Sequence, residues 1–407
     1  MARVYEAINA IRRGGMVVVT DDEDRGNEGD IIMAAQFVTP AAMSFIVRQA
    51  SGLVCTAITT QRADALELPL MVEVNTERER TAFTVTVDAR DSTTGVSAAD
   101  RAATARVLAE PSSRAVDLLR PGHMNFLRAR QGGVLQRAGH TEAAVDLARL
   151  AGLEPAGVLC EILSETGTGM ARGVELKRFA DKHGLPLVTI AELIGYRRAT
   201  ETLIRRRSSG RVPTKWGAFI CHAFESDVDG LTHLAMVVGT PSLVDTPLVR
   251  VHSECLTGDV FSSQRCDCGD QLAKSMQMIA DEGYGAVVYL RGHEGRGIGM
   301  SSKLDAYRLQ DREVDTIDAN LALGLPVDSR EYGIGVQILV SLNLSRVRLL
   351  TNNPHKHGGL EGYGLEIVEQ VPIHVPATSE NIRYLETKRD RMGHLLDHLE
   401  TGVVRAL

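Results

Sequence analysis

Val17-Val18-Val19-Thr20 is an unbroken apolar, β-branched run that stops abruptly at ten residues crowded with carboxylates, Asp21 to Asp30. A short run of this kind predicts a buried strand feeding an acidic loop. Thr81 to Val87 alternates roughly and is rich in β-branched residues, which predicts a second strand. Ser97, followed three residues later by Asp100, predicts a capping box opening a helix that runs to Glu110. Apolar residues recur at helical spacing from Thr141 to Ala151, and Leu187 to Ile190 is a short strand-like run. In the second half, Ala218 to Ile220, Leu234 to Val238, Ala286 to Leu290 and Val347 to Leu350 predict strands. Gln271 to Asp281 predicts a helix, and Asn381 to Leu399 a closing amphipathic helix. Strands mixed with helices and Gly-rich turns predict an α/β (mixed α+β) fold in each half.

A chain of 407 residues favours more than one domain. The pattern breaks between Arg197 and Lys215, where Arg205-Arg206-Arg207, Ser208-Ser209-Gly210 and Pro213 form a basic, turn-prone stretch. Without apolar periodicity, 201–215 reads as a linker between a domain at 1–200 and another at 216–407. The net charge of −7 argues against nucleic-acid or membrane partners, which need a basic surface. The chain lacks a bilayer-length apolar run, and Met1 to Arg13 lacks a secretory pattern. Six thinly spread cysteines are not a disulfide framework, so a cytoplasmic enzyme is expected.

The cysteines carry the first chemistry. Cys266 and Cys268 are one residue apart, and Cys255 lies eleven before Cys266. Three thiolates suit zinc (Zn2+) and leave an open position for a water whose pKa the metal would lower. A structural site would need a fourth ligand, for which Cys221, His222 and His252 stand nearby in sequence. Flanking Arg265, Asp267, Gly269 and Asp270 read as polar and turn-forming rather than buried. Arg291 to Gly299 is a Gly-rich loop with arginines, suited to phosphate. Thr351-Asn352-Asn353-Pro354-His355-Lys356 directly follows a predicted strand.

Arg250-Val251-His252-Ser253-Glu254-Cys255, Arg265 to Gly269, Glu294-Gly295-Arg296 and Thr351 to Pro354 together resemble GTP cyclohydrolase II, over about Arg250 to Leu396. The resemblance implies an enzyme that opens the imidazole ring of GTP, releasing formate and pyrophosphate at the first committed step of riboflavin biosynthesis. It implies zinc on Cys255, Cys266 and Cys268. It implies GTP contacts from Arg250, Val251, His252, Ser253, Glu254, Gln271, Glu294, Gly295, Arg296, Thr316, Thr351 and Lys356, with magnesium assisting at the triphosphate. It also implies Asp328 as proton acceptor, Arg330 as nucleophile on the α-phosphate, and Tyr307 in the active site. A zinc-containing nucleotide-binding module without catalysis is the competing reading, against which these three residues argue.

In the first half, the acidic loop at a strand end suits hard divalent cations. It is a poor EF-hand, because Gly26 occupies a ligand position. Asp21 to Asp30, Thr94 to Ala98, Arg120 to His123, Gly132 to Leu135 and Gly139 to Glu142 stand in the order of 3,4-dihydroxy-2-butanone 4-phosphate synthase, which residues 4–198 resemble. That family converts ribulose 5-phosphate to a four-carbon ketone phosphate and formate with two magnesium ions (Mg2+). The resemblance implies His140 as a magnesium ligand. It implies sugar-phosphate contacts from Arg25, Asp30, Arg137, Ala138, Gly139, His140, Thr141 and Glu161, with His123 and Glu161 catalytic. The family pattern has a metal-binding Glu where this chain has Gly26. Glu28 is the nearest carboxylate, but two residues along an extended segment it is expected to have another job. The expectation is therefore a working cyclohydrolase joined to a synthase-like half of weak or no activity, the alternative being a fully bifunctional enzyme. Both families imply a homodimer.

Overall fold

The structure, a computed structural model, describes the chain except residues 22–25, 78, 313, 326–329, 331, 354–364, 397–398, 400–403 and 406–407; at 404–405 it describes the backbone alone. The chain divides into two compact units, Met1–Thr200 and Glu201–Leu407.

In the first unit the elements run α1 (Ala2–Arg12), β1 (Met16–Thr20), β2 (Gly29–Ala34), α2 (Pro40–Gln49), β3 (Cys55–Thr59), α3 (Thr60–Ala65), β4 (Val87–Ala89), α4 (Ala98–Ala109), β5 (Leu118–Ala129), α5 (His140–Leu150), β6 (Ala156–Glu161), α6 (Val174–His183), β7 (Leu187–Thr189) and α7 (Ile190–Thr200). The strands form one mixed sheet in the order β4-β5-β3-β6-β2-β1-β7. Both faces of this sheet are covered. Val18, Ile31 and Met33 enter one core with Ile46 and Phe126, while Val17, Val19 and Ile32 enter a second with Leu127 and Leu147. Burial on both faces explains why β1 reads as a continuous apolar run. The register places Asp30 of β2 opposite Val19 on one side and Glu161 of β6 on the other.

The second unit continues with β8 (Ile204–Thr214), β9 (Gly217–Ser226), β10 (Thr232–Val238), β11 (Leu248–Ser253), α8 (Leu256–Asp259), α9 (Cys268–Glu282), β12 (Gly285–Leu290), α10 (Glu294–Gly297), α11 (Met300–Gln310), α12 (Thr316–Ala322), α13 (Gly333–Ser341), β13 (Arg346–Leu350) and β14 (Glu366–Val371). A short pair, Ala377–Thr378 with Val404–Arg405, flanks the closing helix Ile382–Met392. The main sheet has the order β14-β13-β11-β12-β10-β9-β8. Phe219, Leu248, Met276, Ile279, Val287 and Leu350 pack together as a core. β11, β12, β13 and β14 are parallel, so the ends of β11 and β13 lie on one edge, where ligands of parallel sheets collect.

Three expectations change. The stretch 201–215, read as a linker, contains β8, which pairs antiparallel with β9 along its length. An exposed edge strand needs no apolar alternation and tolerates Pro213 near its end, so its sequence resembles a loop. Of Thr81 to Val87, only Val87 enters a named strand. Thr84 and Thr86 bond to β5 at Phe126 and Gly122 while Val85 bonds to Pro69, so isolated bridges form rather than a ladder. The closing helix stops at Gly393, whose φ of 63° ends it short of Leu399. The helix at Ser97 forms as expected, with Ser97 Oγ accepting from Asp100 N at 3.1 Å.

Candidate active sites

In the second unit, Cys255 follows β11, Cys266 sits in the next loop and Cys268 opens α9. Their sulfurs, with Cys255 and Cys266 3.7 Å apart, all lie within 4.8 Å of one another. Among the described residues this is the only set of three or more His, Cys, Asp or Glu side chains so gathered; Cys221, His222 and His252 do not join it. Gly258 makes the convergence possible, because a Cβ there would stand 3.0 Å from Cys266 Sγ and 3.2 Å from Cys255 Sγ. Hydrogen bonds from Cys266 and Cys268, with the Lys303 ammonium, drive Cys255 strongly towards thiolate. The same contact with Cys255 pushes Cys266 up to about 12, and Cys268 also rises. Cys255 is thus the sulfur most readily ionised, and a dication would displace protons from the other two. The donor set fits zinc.

Lys303 of α11 stands behind this cluster. Its Nζ donates to Cys255 Sγ at 3.2 Å, Thr257 Oγ1 at 2.7 Å and Glu294 Oε1 at 2.5 Å. Burial pulls its pKa down, but Glu294 and Cys255 hold it above the ordinary lysine value. Glu294 Oε2 accepts from Leu256 N at 2.6 Å, so this carboxylate ties the Gly-rich turn to the thiolate loop. Gly295 and Arg296 both take positive φ, 60° and 66°, inside that turn.

Arg250, His252, Ser253, Glu254, Gln271, Gly295, Arg296, Tyr307, Thr316, Arg330 and Thr351 line one cavity with the three cysteines. Val251 does not; it alternates to the opposite face of β11 and packs against Gly335 of α13. His252 Nε2 pairs with Asp259 at 3.1 Å, and that carboxylate also accepts from Tyr289 OH at 2.8 Å and Cys255 N at 3.0 Å. The Arg265 guanidinium lies 4.8 Å from the Tyr307 ring centre. Asp328 and Lys356 lie outside the described residues.

Two cavity lysines escaped the sequence reading, Lys303 of α11 and Lys388 of the closing helix, as did Gln310, Asn320, Tyr384, Met392 and His394. Lysines on helices read as solvated, and no spacing marks either as buried. Asp267 is also a correction. Read as a turn flank, it is 1 % exposed. Burial raises its pKa, but Lys388 outweighs that and holds the carboxyl below the ordinary range.

In the first unit Asp30, Glu161, His140 and Thr141 stand at the start of β2, the end of β6 and the start of α5, while His123 lies within β5. Burial pushes the Asp30 carboxyl well up, and Glu161, Asp21 and Glu28 add to it. His140, the first residue of α5, places Nδ1 3.7 Å from Asp30 Oδ1 and Nε2 3.1 Å from Val19 O. A carbonyl only accepts, so Nε2 carries a proton, with Nδ1 turned towards Asp30. An imidazole nitrogen and a carboxylate are donors that a hard cation takes once both are deprotonated. Glu161 Oε2 accepts from Leu53 N at 2.8 Å. His123 is clamped by Asp88, which takes its ring Nδ1 at 2.7 Å and its backbone N at 3.0 Å. Arg137 donates to Glu142 Oε2 at 2.6 Å and Thr81 Oγ1 at 3.0 Å, ahead of Ala138, Gly139 and the buried Thr141. Arg25 lies outside the described residues. Gly26 has φ 125°, and a Cβ there would meet Glu28 Oε1 at 3.5 Å. That carboxylate takes a bond from Arg172 Nη2 at 2.8 Å.

Residues 5–196 match the family model of 3,4-dihydroxy-2-butanone 4-phosphate synthase, and residues 205–372 that of GTP cyclohydrolase II. The chain is 55 % identical to the riboflavin biosynthesis protein RibBA of Nocardia farcinica, over 98 % of both. It is 57 % identical to a chloroplastic bifunctional riboflavin biosynthesis protein of Arabidopsis thaliana, over 96 % of this chain and 73 % of that one. A crystal structure of RibBX, a two-domain 3,4-dihydroxy-2-butanone 4-phosphate synthase from A. baumannii, superposes with a TM-score of 0.69 at 36 % identity, covering 92 % of this chain and 100 % of that one. No helix among the described residues is long and apolar enough to cross a membrane.

Proposed function

Because the chain belongs to the family of bifunctional riboflavin biosynthesis proteins, with a 3,4-dihydroxy-2-butanone 4-phosphate synthase unit before a GTP cyclohydrolase II unit, we propose that both units are catalytic. The second hydrolyses GTP to 2,5-diamino-6-(5-phosphoribosylamino)pyrimidin-4-one, formate and pyrophosphate. The first converts ribulose 5-phosphate to 3,4-dihydroxy-2-butanone 4-phosphate and formate. The match to both family models, and the likeness to a relative named as bifunctional, favours two working units over a cyclohydrolase with a silent partner, the reading that Gly26 suggested.

The observation that carries the cyclohydrolase reading is the gathering of three thiols beside Lys303 in the cavity that also holds the end of β11, Gly295, Arg296 and Thr351. Cys255, Cys266 and Cys268 would hold zinc, which supplies a Lewis acid able to activate water near neutral pH. Arg250, Arg296 and Arg330 present guanidinium groups to the same cavity and suit a triphosphate. Tyr307, Asp328 and Arg330 are its catalytic side chains on this reading. Arg330 must lose a proton to act as a nucleophile, an unusual demand on a guanidinium. In the first unit, His140 beside Asp30 is the cation-binding element, and Asp88 sets the ring of His123 for proton transfer.

Purified protein incubated with GTP and zinc, and separately with ribulose 5-phosphate and magnesium, tests both assignments through formate release. Formate from both substrates is expected. Formate from GTP alone would return the first unit to a retained scaffold, and none from GTP would remove the cyclohydrolase assignment.

A further inference from the structure

The residues matched to the cyclohydrolase family end at 372, yet Tyr384 and Lys388 of the closing helix line the same cavity as the thiols. Lys388 Nζ donates to Asp267 Oδ1 at 2.6 Å, and the two side chains are 10 % and 2 % exposed. Asp267 stands between Cys266 and Cys268. Its second oxygen, Oδ2, accepts from Gln271 Nε2 at 2.5 Å. Gln271 Oε1 in turn accepts from Arg250 Nη2 at 2.7 Å, and Arg250 Nη1 donates to Leu350 O at 2.9 Å. One buried chain of bonds thus joins the closing helix, the thiolate loop, β11 and the end of β13. The helix is anchored beyond its end as well, where Leu395 N donates to Asn352 O at 2.8 Å.

Asp267 has no solvent to turn to, and a buried carboxylate keeps its place only while it is paired. With both oxygens engaged, the Cys266–Cys268 turn cannot rotate without breaking a charged bond. The amide of Gln271 is likewise fixed at both ends, oxygen to Arg250 and nitrogen to Asp267.

We propose that Lys388 is a positioning residue of the second unit: through Asp267 it holds the Cys266–Cys268 turn in metal-binding geometry and fixes the amide of Gln271 in the nucleotide cavity. The inference rests on the reading of the three thiols as the zinc site. Lys388 touches neither the thiols nor, on this account, the reacting atoms. It acts at one remove, as groups that hold a metal's ligands generally do.

The test is zinc affinity of the full chain, measured by competition with a chromophoric chelator, together with KM and kcat for GTP. Lys388→Met keeps the length of the side chain and removes its charge. It is expected to weaken zinc binding by roughly 10–100-fold and to raise KM for GTP more than it lowers kcat in zinc-saturated protein. Lys388→Arg keeps the charge and recovers part of the affinity. The double variant Lys388→Met/Asp267→Asn removes the buried charge along with its partner, and is expected to recover most of what the single variant lost. A Lys388→Met protein that binds zinc as tightly as the wild type would overturn the proposal. So would a loss of affinity that Asp267→Asn leaves untouched, since Lys388 would then act elsewhere. If Lys388→Met does not fold, folding of the double variant supports the proposal and its failure counts against it. Wild-type protein that takes up no zinc would remove the reading of the thiol site itself, and this inference with it.

Discussion

Gly26 stands where the synthase pattern has a carboxylate, and its backbone makes restoring one costly. At φ 125° it occupies a region that residues with a Cβ rarely adopt. The nearest atom to a Cβ added at this position is 3.5 Å away, on Glu28, so Gly26→Ala meets no steric clash. Its penalty is conformational, about 1–3 kcal/mol. Gly26→Glu incurs the same penalty and adds a charge beside Glu28, near the carboxylates that already crowd Asp30. Two carboxylates about 5 Å apart at an effective dielectric of about 20 repel by roughly 3 kcal/mol. In chelator, the first unit should therefore melt lower in Gly26→Ala and lower again in Gly26→Glu, at about 2–4 °C per kcal/mol. Magnesium reverses the second effect and not the first, because an ion turns the added charge into a ligand. The assay is calorimetry with and without magnesium, paired with formate release from ribulose 5-phosphate, which should rise in Gly26→Glu. A Gly26→Glu protein no more magnesium-sensitive than Gly26→Ala would refute the claim that position 26 addresses the metal. A Gly26→Ala protein as stable as the wild type would refute the backbone argument.

Asp30→Asn should stabilise the metal-free first unit at neutral pH while abolishing synthase turnover. Burial raises the folded-state pKa of Asp30, so ionisation destabilises the fold as pH climbs above the ordinary value of 3.8. The advantage of the variant over wild type in thermal melts should accordingly shrink as the pH is lowered towards that value. Lys303→Met strands Glu294 in a site where both side chains are 8 % exposed, and guanidinium denaturation should report a loss of about 3–5 kcal/mol. Glu294→Gln in the same protein should return part of it. Cys268→Ser should lose bound zinc and GTP-dependent formate yet keep formate release from ribulose 5-phosphate, and loss of both would contradict independent sites.

Where side chains repeat a physical demand, the chain is readable. The valines of β1 must be apolar because both faces of the sheet are covered, and Ser97 caps α4 with the hydroxyl its position suggests. The three cysteines could be paired by spacing alone, because thiolates close in sequence can converge on one ion. Other features answer to tertiary partners and leave no local trace. β8 is exposed along nearly its whole length, so neither periodicity nor composition separates it from a loop. Lys303 and Lys388 look like solvated lysines until the folded chain sets Glu294 and Asp267 against them. Asp267 misled in the opposite sense, since a charged residue between two ligands suggests exposure when its counter-charge lies 121 residues away in sequence.

The nucleotide cavity draws on residues from Arg250 to His394, so the wall supplied by the closing helix is the last to leave the ribosome. Asp267 can be buried with its charge only once this wall is in place to supply Lys388. A tag or truncation that disturbs residues 382–395 acts on the chemistry of a loop made more than a hundred residues earlier.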